Sequence, residues 1–223
     1  MKKRCVIVSA GDFTSSDYRG FEDFDVHCKG DYIIAADGGY TYLKEMGIIP
    51  DLCIGDFDSL GFAPGDCPIL RLPVEKDCTD TDAAIRKGLE AGCTEFLLLG
   101  MLGGSRLSHT LANLQSLQFL SDHGAVGYLI GEKYIATVVK NGTLIFPQTA
   151  KGILSVFCMG QDAEGVTLSG LKYELTDGTL TAGFPLGVSN HFTHKKATIS
   201  VNNGSLLLLF DRENGLPIRE DNL

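Results

Sequence analysis

Three short apolar runs stand out in the first half of the chain. They are residues 5–10 (CVIVSA), 32–37 (YIIAAD) and 96–100 (FLLLG), and each ends in glycine, aspartate or a small residue. Continuous apolar runs of this length are typical of strands that are buried on both faces, as in parallel sheets. We therefore predict three buried strands in the first half.

Helical patterns lie between these runs. Residues 41–46 and 81–91 are each followed by a glycine, Gly47 and Gly92, which favours a helix that ends at a glycine cap. Residues 108–123 carry leucine at every third position from 111 to 120 and give the clearest helical pattern. Strands that alternate with helices predict a layered α/β domain with a mostly parallel sheet.

In such sheets, ligands bind at the carboxyl ends of the strands. Asp37 and Gly100 each close one of the predicted strands, and the turn at residues 10–12 (AGD) follows another. We expect all three to lie at the same edge of the sheet.

From about residue 126 the pattern changes to short apolar runs separated by glycine or asparagine. This spacing predicts an all-β sandwich with little helix. The turns at 140–143 (KNGT), 176–179 (TDGT) and 202–205 (NNGS) have the sequence of tight hairpins. We therefore predict an α/β domain over residues 1–125 and a β-sandwich domain over 126–223, with the boundary between 122 and 130.

The net charge of −9 is unevenly distributed. Residues 1–125 carry 19 acidic and 11 basic side chains, against 9 and 8 in the rest, and eight aspartates fall between residues 37 and 82. An acidic surface excludes a protein that binds the nucleic-acid backbone. A nucleotide that arrives as a metal complex remains compatible with it.

The cysteines and the apolar runs indicate the compartment. The seven cysteines form no C-x-x-C pair, so zinc ribbons and thioredoxin-like sites are not supported. No apolar stretch approaches the roughly 20 residues of a membrane span, and the run at 5–10 is too short for a signal peptide. We expect a protein of the reducing cytoplasm, without a membrane partner.

Two acidic segments form the strongest chemical pattern, 55–59 (GDFDS) and 76–82 (KDCTDTD). Asp56 and Asp58 would point to the same side of an extended segment, and paired carboxylates are costly without a cation. A third carboxylate would complete a set of oxygen ligands typical of Mg²⁺ with phosphates. Asp80 is our choice, with Asp77 and Asp82 as rivals. The alternative is a solvated loop followed by a helix cap at Thr79 or Asp80.

Two glycine-rich segments follow predicted strands. In Asp37-Gly38-Gly39, a carboxylate and two glycines suit close approach of an extended ligand, although a plain turn is the alternative. Residues 100–106 (GMLGGSR) open the long helix, where backbone N–H groups and Arg106 suit a phosphate. Neither a Walker A loop nor a dinucleotide fingerprint is present.

The order of these motifs resembles the thiamine pyrophosphokinase family. The matching segments are 37–39 (DGG), 49–59 (IPDLCIGDFDS), 76–84 (KDCTDTDAA), 100–114 (GMLGGSRLSHTLANL), 189–190 (SN) and 204–209 (GSLLLL). The resemblance implies an α/β domain, a β-sandwich and a homodimer with active sites at the subunit interface. It also implies transfer of a pyrophosphoryl group from ATP to the hydroxyl of thiamine, which releases AMP.

The resemblance also assigns roles to residues. Asp56, Asp58 and Asp80 match the acids that bind magnesium and orient the pyrophosphate, and Ser189 and Asn190 match the pair that contacts thiamine, from the partner subunit. The catalytic set would be Asp37, Asp56, Asp58, Asp80 and Arg106. The ATP-binding set would be Gly11, Asp37, Gly38, Gly39, Lys76, Asp77, Thr79, Gly103, Gly104, Arg106 and His109.

The loop before the long helix departs from the family pattern. The family reads G-G-R-x-D-H, whereas here Ser105 is inserted and Ser108 stands where aspartate is expected. A phosphate-transfer mechanism would then use Asp37 or Asp80 to accept the proton of the hydroxyl, and the sequence does not choose between them. Three alternatives stay open: a pyrophosphokinase acting on another alcohol such as a hydroxymethylpterin, an inactive nucleotide or metabolite sensor, and a structural protein.

Overall fold

The computed structural model describes residues 3–11, 24, 26, 30–58, 60–73, 75, 77–103 and 106–221. The chain divides into two compact units, residues 1–132 and 133–223. Within the described ranges, no helix is both long and apolar enough to cross a lipid bilayer.

The first unit is a parallel sheet with helices. Its elements are β1 (Arg4–Val8), β2 (Tyr32–Ala36), α1 (Gly39–Glu45), β3 (Leu52–Gly55), β4 (Ile69–Arg71), α2 (Asp80–Glu90), β5 (Glu95–Leu99), α3 (Leu107–Asp122) and β6 (Val126–Ile130). The strand order is β6-β5-β1-β2-β3-β4, and every pair in it is parallel.

The apolar runs produce this sheet because both of its faces are covered. Residues 5–8 and 96–99 are fully buried, as are Ile34 and Ile54 on the neighbouring strands. Each such side chain stabilises the fold by about 1.5–3 kcal/mol relative to its exposed state. The predicted caps Gly47 and Gly92 both have left-handed φ, at +70° and +79°, and end α1 and α2.

The second unit consists of two antiparallel sheets. Its strands are β7 (Tyr134–Lys140), β8 (Gly142–Phe146), β9 (Ile153–Cys158), β10 (Ala163–Ser169), β11 (Leu175–Leu180), β12 (Gly187–His191), β13 (Ala197–Ser200), β14 (Ser205–Asp211) and β15 (Ile218–Asp221). Within this unit the sheet orders are β12-β9-β14-β7 and β11-β10-β13-β8-β15. In its described part, residues 133–221, the one helical segment is a 3₁₀ turn at Arg212–Asn214.

Three phenylalanines mark the core of the second unit. Phe146 lies between Phe192 and Phe210, with ring centroids 5.1 and 4.9 Å apart. Along β10 and β14, buried residues alternate with more exposed ones, which is the pattern of strands with one face in a core. The predicted fold class, a parallel α/β domain followed by an all-β domain, is confirmed.

Residues 126–130 belong to the first unit, so the division at 132/133 lies later than the predicted 125/126. This run forms β6, which pairs in parallel with β5. An apolar run of five residues does not show which sheet it joins. For that reason, the prediction from sequence placed this run in the second domain.

The hairpin predictions were wrong. The KNGT segment connects β7 to β8 and the NNGS segment connects β13 to β14, and in both cases the two strands belong to different sheets of the second unit. The TDGT segment lies inside β11, where Asp177 has a left-handed φ of +51° at an irregularity of the β10–β11 pairing. Asparagine and aspartate tolerate this conformation, which suits corners and bulges as well as hairpins.

Candidate active site

A cleft of about 460 Å³ lies in the first unit at the carboxyl ends of its strands. Its lining comes from the ends of β1, β2 and β5, the start of α2 and the start of α3: Ser9, Ala10, Gly11, Asp37, Thr79, Asp80, Thr81, Gly100, Met101, Gly103, Arg106, His109 and Asn113. The prediction that Asp37, Gly100 and the turn after β1 share one edge is therefore confirmed, for residues 10 and 11 of that turn. Asp12 lies outside the described residues.

The backbone is closely packed at the strand ends near this cleft. A Cβ atom added to Gly11 would lie 2.1 Å from the carbonyl oxygen of Gly100, and one added to Gly39 would lie 2.0 Å from that of Val8. The Gly11 amide donates a hydrogen bond to the Gly100 carbonyl over 3.1 Å. Glycine is therefore required at both positions for steric reasons.

Asp37 ends β2 in a left-handed conformation, with φ of +48°. Its amide donates to the Ile54 carbonyl over 2.7 Å, and Gly55 leaves room for the Asp37 Cα atom. Gly38 is the N-cap of α1 and Gly39 its first residue. The bend turns the chain from the strand into the helix at the cleft, and the Oδ1 atom of Asp37 is enclosed by the protein.

The start of α2 brings a second carboxylate to the cleft. Thr79 is the N-cap, and its hydroxyl oxygen accepts a hydrogen bond from the Asp82 amide over 3.1 Å. Asp80 is half-buried, and its Oδ1 atom is enclosed. Asp82 instead binds Arg86 in an ion pair of 2.8 Å, and Asp77 is exposed. Of the three rival aspartates, Asp80 is the one that lines the cleft.

The D-x-D segment is a turn, so the extended geometry that we assumed for Asp56 and Asp58 is wrong. The intervening Phe57 is buried with a left-handed φ of +63°, and the Asp58 amide donates to Asp56 Oδ1 over 3.0 Å. Arg71 covers the Phe57 ring at 5.6 Å from its centroid. Asp56 is half-buried and Asp58 exposed, and the lining of the cleft includes neither.

Among the described residues, no three His, Cys, Asp or Glu side chains are grouped closely enough to hold a metal ion. The set of Asp56, Asp58 and Asp80 is thus not assembled in the protein alone. Magnesium is nevertheless a good fit to the donors, because it is commonly held by one or two carboxylates together with phosphate oxygens and water. Asp37 and Asp80, which share the cleft, supply that number of carboxylates.

Positive charge enters the cleft from the start of α3. Arg106 is the N-cap residue, and its Nη2 atom lies 3.0 Å from Nδ1 of His109 and also contacts Nε2. Both side chains are exposed and line the cleft together with Gly103. A helix N-terminus, an arginine and a histidine provide hydrogen-bond donors for an anion. Gly104 and Lys76, which we also predicted to bind ATP, lie outside the described residues.

The sequence reading missed two polar residues of α3. Asn113 is buried and donates from Nδ2 to the Met101 carbonyl over 2.7 Å, and the Thr110 hydroxyl donates to the Gly103 carbonyl over 3.0 Å. Together with Arg106 and His109 they occupy positions i, i+3, i+4 and i+7. This spacing places them on one face of the helix, so the sequence alone could have predicted that they lie together.

The predicted thiamine residues lie on β12 in the second unit. Asn190 is buried, and its amide is engaged internally: Oδ1 accepts from the amides of Tyr173 and His191, and Nδ2 donates to the Tyr173 carbonyl. Ser189 is exposed with a left-handed φ of +58°. A cavity of about 130 Å³ in this unit is lined by residues 156–158 and 180–187. Contact of Ser189 and Asn190 with thiamine stays a prediction.

Comparison with known proteins supplies the family. The thiamin pyrophosphokinase catalytic-domain model matches residues 26–126, and the thiamin pyrophosphokinase vitamin B1 binding-domain model matches residues 143–206. The chain is 30% identical over 183 residues to thiamine pyrophosphokinase of Bacillus subtilis (strain 168), and the aligned region covers 79% of this chain and 85% of that protein.

Solved structures agree in fold. A crystal structure of thiamine pyrophosphokinase from Bacillus subtilis matches with a TM-score of 0.80 and 26% identity, covering 94% of this chain and 99% of the other. One from Geobacillus thermodenitrificans matches with a TM-score of 0.78 and 24% identity over 96% and 99% of the two chains. With both domain models and a curated relative in agreement, the chain belongs to the thiamine pyrophosphokinase family of enzymes.

Proposed function

We propose that the protein transfers a pyrophosphoryl group from ATP to the hydroxyl of thiamine, giving thiamine diphosphate and AMP. The observation that carries this proposal is the cleft of the first unit. In it, a glycine-lined floor, two aspartates and an arginine at a helix N-terminus lie together at the carboxyl ends of parallel strands. Family membership supplies the choice of thiamine as the acceptor.

The triphosphate of ATP is assigned to the side of the cleft formed by α3. Arg106 and His109 stand at its first turn, where they offer charge and hydrogen-bond donors to phosphate oxygens. Gly11, Gly38 and Gly39 belong to the proposed ATP-binding set; at Gly11 and Gly39 the absence of a Cβ atom lets the backbone pack closely at the strand ends. Lys76, Asp77, Thr79, Gly103 and Gly104 complete the proposed ATP-binding set.

Magnesium is the proposed cofactor, with ATP as a co-substrate. Asp80 would hold it in the cleft, with Asp56 and Asp58 as the further ligands that the family resemblance assigns. When bound, the ion neutralises charge on the phosphate groups. These roles predict that the D-x-D turn and the start of α2 approach a common ligand when ATP is present.

The reaction forms a bond between the thiamine hydroxyl oxygen and the β-phosphorus, and it breaks the bond between that phosphorus and the oxygen that AMP retains. Such transfers depend mainly on positioning and on stabilisation of charge. The hydroxyl proton passes to a carboxylate oxygen of Asp37 or Asp80, which both line the cleft. Arg106 faces the negative charge of the phosphates during the transfer.

The acceptor and the assembly complete the proposal. Ser189 and Asn190 would contact thiamine, and the protein would act as a homodimer with these residues supplied by the partner subunit. The cationic thiazolium ring of thiamine suits a cleft that is lined by the carboxylates of Asp37 and Asp80. We place the enzyme in the reducing cytoplasm, in line with the free thiols of Cys5, Cys53, Cys67, Cys78, Cys93 and Cys158.

The test is chromatographic detection of AMP and thiamine diphosphate after incubation with Mg-ATP and thiamine. We expect Asp80→Asn to lower kcat/KM about 100-fold or more, as is typical when a group that stabilises transition-state charge is removed. Asp177→Asn is the matched control, because Asp177 is exposed on β11 of the second unit and asparagine tolerates its left-handed backbone. It should retain wild-type activity.

Each other outcome points to one of the alternatives. Release of ADP instead of AMP would refute pyrophosphoryl transfer. Turnover with a hydroxymethylpterin but not with thiamine would assign another alcohol as the acceptor. Binding of Mg-ATP without turnover of either alcohol would indicate a sensor.

A further inference from the structure

Helix α3 carries a polar face that the proposed reaction does not yet explain. Arg106, His109 and Asn113 on this face line the cleft. Arg106 and His109 were assigned to the phosphates, whereas Thr110 and Asn113 have no assigned role. Asn113 is 8% exposed, and burial of an amide is favourable only if its hydrogen bonds are made. The contacts of these two residues show what they hold in place.

Both side chains bind carbonyl groups of the loop between β5 and α3. Asn113 Nδ2 donates to the Met101 carbonyl over 2.7 Å, and Thr110 Oγ1 donates to the Gly103 carbonyl over 3.0 Å. On the other side, the Gly11 amide donates to the Gly100 carbonyl over 3.1 Å. Three carbonyl groups in a four-residue segment are therefore each bound by a donor from elsewhere in the unit.

This arrangement matters because a carbonyl oxygen carries partial negative charge. A free carbonyl group directed at a triphosphate would repel it, whereas backbone N–H groups attract it. The segment 100–103 is able to bend sharply because Gly100 and Gly103 have left-handed φ values of +68° and +101°. Met101 is buried at 3% exposure, which anchors the middle of the segment.

We propose that Thr110 and Asn113 are positioning residues that tie the carbonyl groups of Met101 and Gly103 to helix α3, so that the segment 100–103 accepts a polyphosphate. The inference rests on the assignment of the triphosphate to this side of the cleft, and it adds two residues to the phosphate site. It does not depend on the identity of the acceptor alcohol.

The test is a comparison of hydroxyl donors on one helix. Thr110→Val keeps the shape of the side chain and removes the donor, and Thr110→Ser restores it. Ser116→Ala is the matched control, because the Ser116 hydroxyl donates to the Ala112 carbonyl of its own helix, over 3.2 Å, and not to the segment 100–103. The readout is the dissociation constant of inorganic tripolyphosphate with Mg²⁺, measured by calorimetry, beside the KM values for ATP and thiamine.

We expect Thr110→Val to weaken tripolyphosphate binding about 5-fold, as for the loss of one neutral hydrogen bond. KM for ATP should rise with it, while KM for thiamine stays unchanged, and both Thr110→Ser and Ser116→Ala should bind like the wild type. Asn113→Leu should weaken binding by a similar or larger factor. If that buried substitution prevents folding, the Thr110 series still decides.

Several outcomes would overturn the inference: wild-type binding by Thr110→Val, equal weakening by Thr110→Ser, or absence of tripolyphosphate binding by the wild-type protein. A different result would distinguish failure of the proposed function from failure of this inference. If the wild type binds tripolyphosphate with the expected dependence on Thr110 but forms no thiamine diphosphate, the proposed reaction fails and the loop inference stands.

Discussion

Gly39→Ala is the substitution for which the structure allows a quantitative prediction of the effect on the cleft. The added Cβ atom would lie 2.0 Å from the carbonyl oxygen of Val8 and 3.0 Å from the amide nitrogen of Ser9, whereas ordinary contacts begin at 3.4 Å. Both neighbours are backbone atoms at the end of a buried strand, so helix α1 must move away by about 1 Å or more.

We expect this displacement to cost about 3 kcal/mol, the upper part of the range for overpacked positions, because no flexible side chain is present to absorb it. For a chain of this size the melting temperature should fall by about 6–12 °C. Since Ser9 lines the cleft, the affinity for Mg-ATP should fall as well.

The assay is thermal unfolding followed by circular dichroism, with Mg-ATP titrated in a separate measurement. Gly65→Ala is the matched control: an added Cβ atom there meets nothing within 4 Å, and its backbone is not left-handed. It should melt within about 2 °C of the wild type, since such a change is neutral or slightly stabilising. Equal melting temperatures for Gly39→Ala and Gly65→Ala would refute the steric reasoning.

Three further predictions follow from individual side chains. Thr79→Ala removes the N-cap of α2 and should lower the melting temperature by about 2–4 °C, as expected for about 1 kcal/mol, whereas Thr79→Ser should restore it. Burial and the hydrogen bond to Asp66 raise the pKa of Tyr40 from 10.0 to about 12. The stability from this shift is complete below pH 10 and is lost as the pH rises to 12, so urea titrations of Tyr40→Phe should show a shallower decline over that interval. Burial also raises the pKa of the Cys53 thiol, so mass spectrometry should find exposed Cys78 alkylated well before Cys53, and Mg-ATP should slow the labelling of Cys78 beside the cleft.

The elements of the first unit were predictable because its apolar runs and glycine caps are local signals. The three helices begin and end within two residues of the predicted positions. The edge that carries Asp37 and Gly100 followed from the general rule for parallel sheets. The polar face of α3 could also have been predicted, although we missed two of its residues, since residues 106, 109, 110 and 113 follow the helical period among leucines.

Other features depended on information that is not local. The turn at Asn141 and the turn before Ser205 have hairpin chemistry, yet each connects strands of different sheets, because long-range pairing decides which strands meet. The conformation of the D-x-D segment depends on the left-handed backbone at Phe57. Phenylalanine rarely adopts this conformation, so the sequence does not predict it. Among the described residues, the acidic side chains are not grouped as a metal set.

The residues that line the cleft extend along the chain only from Ser9 to Asn113, and all belong to the first unit. During synthesis, which proceeds from the N-terminus at about 5–20 residues per second, every one of these side chains has been added before the second unit begins. Under the proposed function, the pocket for the anionic donor is thus encoded ahead of the β12 residues proposed to meet the acceptor. Under the same proposal, a nascent chain whose first unit has folded would already be stabilised by Mg-ATP before the second unit is complete.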